Sequence, residues 1–455
     1  MKPFFAFIAI LISLNSFGQE IKYQKSYSDA LALANKTNKP IFITLMPPRP
    51  PNVVGLPPII AAPEGKELTD LYNKEFISYQ AVFNDPSVKD VVAKFRPAVF
   101  PYYIFLDSSG GPVYKSAANE MLPDRFRNMA NQALERISSG KTYNHYEQFF
   151  LANMINKEQL KEYIKLRQGM GMFDNAKLID KYVDMLSVSD LGNYNDVLFI
   201  FLAGPVANSK AYKLAYTNEK LIDSIFKTEP LETRTAINNR IIVNTRAEAI
   251  KQKSLSLAQS AANVVSKSWG TNYQEASKAS SREMLNYYKA VNDTTRYFQQ
   301  AGYFYDNYYL NITTDSARRL QAEQMANMRT AAQNSITNNG QSAITGTLQF
   351  VQLSSAKSME VANVLNNAAY EFYTMGTHNP VHLTKALIWS RRSIQLNPQS
   401  GYYDTMAHIM YRLGFYDEAL LNQNKAIDLA GKENNMPGRM DNLKAELNKM
   451  KAHQL

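Results

Sequence analysis

The chain contains no cysteine. It therefore cannot carry out thiol-disulfide exchange by itself, and no disulfide can brace it, so in an oxidising compartment its stability would rest on packing alone. Basic runs are missing too. The 50 Lys and Arg are interspersed with 40 acidic residues, so the net charge of +10 reads as a solvated basic surface and no nucleic-acid partner is expected. Beyond residue 14 no apolar stretch approaches membrane length. Leu198–Gly204 is among the longest, far short of the ~20 residues a spanning helix needs. There is no Gly-x-Ser-x-Gly, no phosphate-binding loop and no His-Glu-x-x-His. His378 and His382 have the spacing of a metal pair on a helix, but Asn379-Pro380 breaks the helix between them and no third ligand is near, so neither metal nor cofactor is expected. Asp180 and Asp184 read as a solvated helix face, and no catalytic residue is assigned.

The start of the chain has the pattern of a cleaved export signal. Lys2 is followed by an apolar run from Phe4 to Leu14 and by Ser16-Phe17-Gly18, with small residues where a signal peptidase reads. Residues 1–18 are thus expected to be removed, leaving a mature chain from Gln19 without a membrane span. The segment resembles signal peptides of Bacteroidetes-type bacteria, which implies export across the inner membrane and makes the periplasm the expected location. A length of 455 residues with 45% apolar content suffices for two or three packed domains.

Residues 19–140 read as alternating helices and strands. Tyr27–Asn35 is an Ala/Leu-rich helix, Pro40–Leu45 a buried strand and Phe76–Phe83 a second strand. Pro86–Lys94 is a short helix capped by Asp85, and Tyr102–Leu106 a third strand. The turn at Asp107–Gly111 leads to a hairpin partner around Val113–Lys115, and a helix over Pro123–Ile137 closes the unit. This order predicts a mixed α/β sheet with helices on its faces.

Three stretches carry a family resemblance: Ala32-Leu33-Ala34-Asn35-Lys36-Thr37-Asn38-Lys39-Pro40-Ile41-Phe42-Ile43, Leu71-Tyr72-Asn73-Lys74-Glu75-Phe76-Ile77, and Phe95 through Pro101-Tyr102-Tyr103-Ile104-Phe105-Leu106-Asp107 to Gly110. Together they resemble thioredoxin-like proteins. The resemblance implies a cis proline at Pro101 and a peptide-binding backbone at Phe100, Pro101 and Tyr102. It fails where the family carries Cys-x-x-Cys. That place holds Met46, Pro47, Pro48, Arg49, Pro50 and Pro51, and seven of the 19 prolines fall between Pro47 and Pro63. Prolines lack amide donors, so this stretch is expected to be an extended loop, with the next helix delayed to about Glu64–Asn73. It could fill the vacated dithiol site or display a ligand for a partner's aromatic groove.

From Tyr143 onward, apolar residues recur at helical spacing, as in Leu160, Tyr163, Ile164 and Arg167. Breaks are expected at 169–175, 187–193, 227–230, 269–271 and 292–293, and residues 141–355 read as helical hairpins. Over 356–455 two units resemble tetratricopeptide repeats. Ala407, Gly414, Ala419 and Ala426 mark one, Ala369, Gly376, Ala386 and Pro398 the other, and Lys444–Lys451 would cap the stack. Degenerate repeats, including a helix over Thr347–Lys357, would precede them. The aromatic cluster Tyr287, Tyr288, Tyr297, Phe298, Tyr303, Phe304, Tyr305, Tyr308 and Tyr309 reads first as filling for helix seams and second as a peptide or glycan groove. The chain as a whole is expected to be a multi-domain protein, an α/β thioredoxin-like domain followed by an all-α tetratricopeptide-like region. It would act without catalysis by binding protein or peptide partners in the cell envelope. Two alternatives stand beside that: a redox-inactive accessory of a thioredoxin-family system, and a glycan-binding or hydrolytic protein with its site in the middle helices.

Overall fold

The computed structural model describes residues 20–47, 62–95, 97, 99–117, 123–323, 325–326, 357–433 and 438–455. The expected signal segment, loop positions Pro48, Arg49, Pro50 and Pro51, and nearly all of the helix expected over Thr347–Lys357 lie outside these. The protein is mostly helical, with one small mixed sheet near the N-terminus. It divides into two compact units: one extends to Pro205 and includes Ser209–Arg240, and the other comprises Val206–Asn208 and Ile241–Leu455.

The first unit is built on the sheet. Strands β1 (Ile41–Met46), β2 (Ile77–Val82), β3 (Tyr102–Leu106) and β4 (Pro112–Ala117) lie in the order β2-β1-β3-β4. β1 and β2 are parallel, with Ile41 opposite Ile77. β3 runs antiparallel to both β1 and β4. Helix α1 (Tyr27–Thr37) precedes β1, α2 (Lys66–Glu75) joins β1 to β2, α3 (Lys89–Phe95) joins β2 to β3, and α4 (Pro123–Ser138) follows β4.

Both faces of the sheet are covered, which is why β1 and β3 read as unbroken apolar runs. Ile41, Ile43 and Leu45 of β1 face one layer with Tyr102, Ile104, Ala30, Ala34 and Val91. Phe42, Tyr103 and Phe105 face the other with Leu68, Tyr72 and Phe126 from α2 and α4. In that second layer Phe42 and Tyr72 meet edge to face at 4.7 Å, a favoured aromatic geometry.

Local chemistry sets the ends of the elements. Ser26 accepts a hydrogen bond from the Asp29 amide at 3.0 Å to open α1, and Asn38, at φ 53°, closes it in the left-handed region. The segment expected as one helix over Pro86–Lys94 is a 3-10 turn, Pro86–Val88, leading into α3. Asp85 caps that turn by accepting from the Ser87 amide at 2.8 Å. At the β3–β4 turn the Asp107 carboxylate accepts from the amides of Ser109 and Gly111 at 3.0 and 2.8 Å. The Asn144 side chain donates to the same carboxylate at 2.8 Å. A Cβ on Gly111 would lie 2.3 Å from that amide nitrogen, so the close approach requires glycine.

The second unit is helical. Lys357–Thr374 and Pro380–Leu396 form one hairpin, Ser400–Arg412 and Tyr416–Ala430 another, and Arg439–Lys451 packs on the last. Gly376 and Gly414 turn the two hairpins at φ 74° and 87°, where a side chain would be strained. Ala369, Ala386, Ala407, Ala419 and Ala426 are fully buried, consistent with stacked helical repeats. The expected breaks all separate helices: for example, Leu255–Lys267 ends before Trp269 and Tyr273–Ala290 begins after it.

Candidate functional sites

The first site lies at the carboxyl end of β1 and β2, where β3 begins. The Phe83 amide donates to the Met46 carbonyl at 2.9 Å, continuing the parallel pairing one residue past the strands. Phe83 then meets Phe100 edge to face, with ring centres 5.0 Å apart. The Phe100–Pro101 peptide bond is cis. Pro101 and Tyr102 are buried, whereas Phe100, Met46 and Pro47 are half-buried. Burial pushes the Tyr102 phenol up to about 12. The Lys115 ammonium lies 5.8 Å from the centre of the Tyr102 ring, and burial lowers its pKa.

These three residues are not equivalent. Tyr102 pairs with Leu45 on one side and Ala117 on the other, so its backbone is already in the sheet. Phe100 makes no backbone hydrogen bond to another described residue, and Pro101 has no amide hydrogen. Val82 and Val99, which sequence reasoning did not single out, flank the Phe83–Phe100 pair and are 41% and 44% exposed. Two partly exposed valines beside two half-buried phenylalanines form an apolar patch at the end of an edge strand. Along β2, the only neighbour besides β1 among the described residues is the segment at Tyr23, which bridges to Ser78. Among the described residues no strand pairs with Gln80–Val82 on that side, and the Val82 carbonyl accepts from the Asp85 amide at 2.9 Å.

A second feature lies in the helical unit. The helix Thr294–Tyr305 runs into a π-helical turn, Asp306–Leu310. The turn is held from the helix Pro380–Leu396: the Trp389 indole nitrogen donates to Asp306 Oδ1 at 2.7 Å, Lys385 pairs with the same carboxylate, and Arg392 Nε donates to the Leu310 carbonyl at 3.0 Å. Such single π turns recur at functional sites, because they turn side chains out of helical register. Six members of the aromatic cluster, Tyr287, Tyr288, Tyr297, Phe298, Phe304 and Tyr309, are buried in the core beneath. The seam reading describes these six. Tyr303 is 68% exposed, and Tyr308 sits at the edge of an open cleft.

His378 lies outside the helix Pro380–Leu396 and His382 within it. The His382 ring stacks on Phe298, with ring centres 4.6 Å apart, and burial lowers its pKa. Among the described residues no group of three or more His, Asp or Glu is arranged to hold a metal ion. Nor is any described helix long and apolar enough to cross a membrane.

The chain matches no protein-family profile, no curated protein and no solved structure.

Proposed function

We propose that this chain is a non-catalytic, thioredoxin-like binding protein of the bacterial envelope that takes an extended peptide against Val99-Phe100. The observation that carries the reading is the apolar patch of Val82, Phe83, Val99 and Phe100 beside the Phe100 backbone, which has no sheet partner among the described residues. An extended segment gains affinity from main-chain hydrogen bonds and specificity from alternate side chains seated on apolar surface, and this patch offers both. The strand order β2-β1-β3-β4, with one parallel and two antiparallel pairs, supports a thioredoxin-like layout. With no cysteine the fold serves for binding and not for redox turnover.

The test is binding of fluorescent extended decapeptides to the full chain, wild type against Val82→Lys and Val99→Lys. Both positions are partly exposed, so folding is retained and circular dichroism checks it. Loss of affinity by about tenfold, ~1.4 kcal/mol, in either variant is the expected result. Unchanged binding in both would remove the site from this patch.

A further inference from the structure

The helical unit holds a cleft of about 1010 Å3 between the start of the helix Tyr273–Ala290 and the π turn Asp306–Leu310. We infer that it binds a neutral oligosaccharide, a function independent of the peptide reading and located on other residues.

Three features of the lining select that ligand. The first is its aromatic surface. Trp269 stands in the break between two helices and is 44% exposed, and Tyr308, its hydroxyl hydrogen-bonded to Ser277, lines the same cleft. Indole and phenol rings present flat apolar faces with polar edges, which suits the alternating C–H faces and hydroxyl rims of a sugar.

The second is the set of amides. The side chains of Gln274, Asn307 and Asn311 line the cleft, are exposed, and make no hydrogen bond to another described residue. Each amide offers two donors and an acceptor, so it can serve a hydroxyl whichever way that hydroxyl points. A few placed polar groups among aromatic ones are the ordinary composition of a small-molecule site.

The third is charge. The lining carries two lysines, Lys278 and Lys357, against two glutamates, Glu275 and Glu323. Lys278 lies over the Tyr309 ring, 4.6 Å from its centre, and forms no ion pair with another described residue. A cleft for phosphate or a polyanion would need an excess of positive charge, and this one has none. Its apolar side chains beyond the aromatics are Ile312, Leu320 and Val361, too few for a lipid chain.

The geometry is also prepared in advance. The π turn that carries Asn307 and Tyr308 is held by Trp389, Lys385 and Arg392, so ligand binding does not have to order it.

The chain has two tryptophans, and they report separately. Trp269 borders the cleft; Trp389 is fully buried with its indole nitrogen bonded to Asp306. The full chain is therefore titrated to millimolar concentration with short neutral oligosaccharides of β-1,4-glucose, α-1,4-glucose, xylose, mannose and N-acetylglucosamine, following tryptophan emission. The expected result is a saturable blue shift with at least one of them. Trp269→Ala should abolish the shift while the Trp389 emission persists. Trp269→Phe should retain binding by calorimetry, and Asn307→Ala with Asn311→Ala should weaken it about tenfold. No shift with any of the sugars, or a shift that survives Trp269→Ala, would overturn the proposal. So would a Trp269 response to an unstructured decapeptide or to heparin without one to any neutral sugar, which would assign the cleft to a peptide or a polyanion.

Discussion

At the scale of single residues, Tyr102 shows how burial and function diverge. The family resemblance implies that it is part of a peptide-binding segment, but it is 5% exposed and packs into the sheet core with Ile104 and Leu45. Val82 ends β2 and Val99 precedes β3, and residue type alone does not distinguish these exposed valines from core ones. Burial raises the Tyr102 phenol from 10.0 to about 12, which fixes the sign of its pH effect. The neutral phenol is favoured in the folded chain. Its contribution is complete below pH 10.0, the value of the unfolded chain, and is lost as pH rises through about 12. Tyr102→Phe removes the ionising group, so its alkaline unfolding midpoint should move to higher pH, read by circular dichroism. A midpoint that stays or falls would mean the phenol is not held neutral by the fold.

At the scale of elements, the helical hairpins were legible and the π turn was not. Gly376 and Gly414 sit at the same offset from Ala369 and Ala407, and both need positive φ, so a local requirement wrote itself into the sequence. The π turn depends on partners far along the chain: Lys385 and Trp389 reach Asp306 across 79 and 83 residues. No local pattern encodes that. For the same reason the cleft beside the turn could not be read from the tyrosine count, since six of those rings are core. Where small residues let helices approach, added volume has nowhere to go. Ala386 is fully buried among Phe372, Leu383 and Trp389, and Ala386→Leu should destabilise the chain by about 1–3 kcal/mol through overpacking, measured as a lower urea midpoint. A neutral result would show that the hairpin seam is looser than its side-chain packing.

At the scale of the whole molecule, the missing cysteines and the two compact units divide the account. The sheet belongs to the first unit, together with helices out to Arg240, and the cleft belongs to the second. Each unit has its own proposed ligand, so each can be tested without the other. The central claim is that an extended peptide meets the chain at the end of β2 and the start of β3. The measurement that tests it most directly is hydrogen–deuterium exchange on the full chain, with and without the tightest-binding decapeptide. The account predicts slowed exchange at the amides of Val99 and Phe100 and none over residues 357–455. Protection confined to the helical repeats, or no protection at saturating peptide, would contradict it.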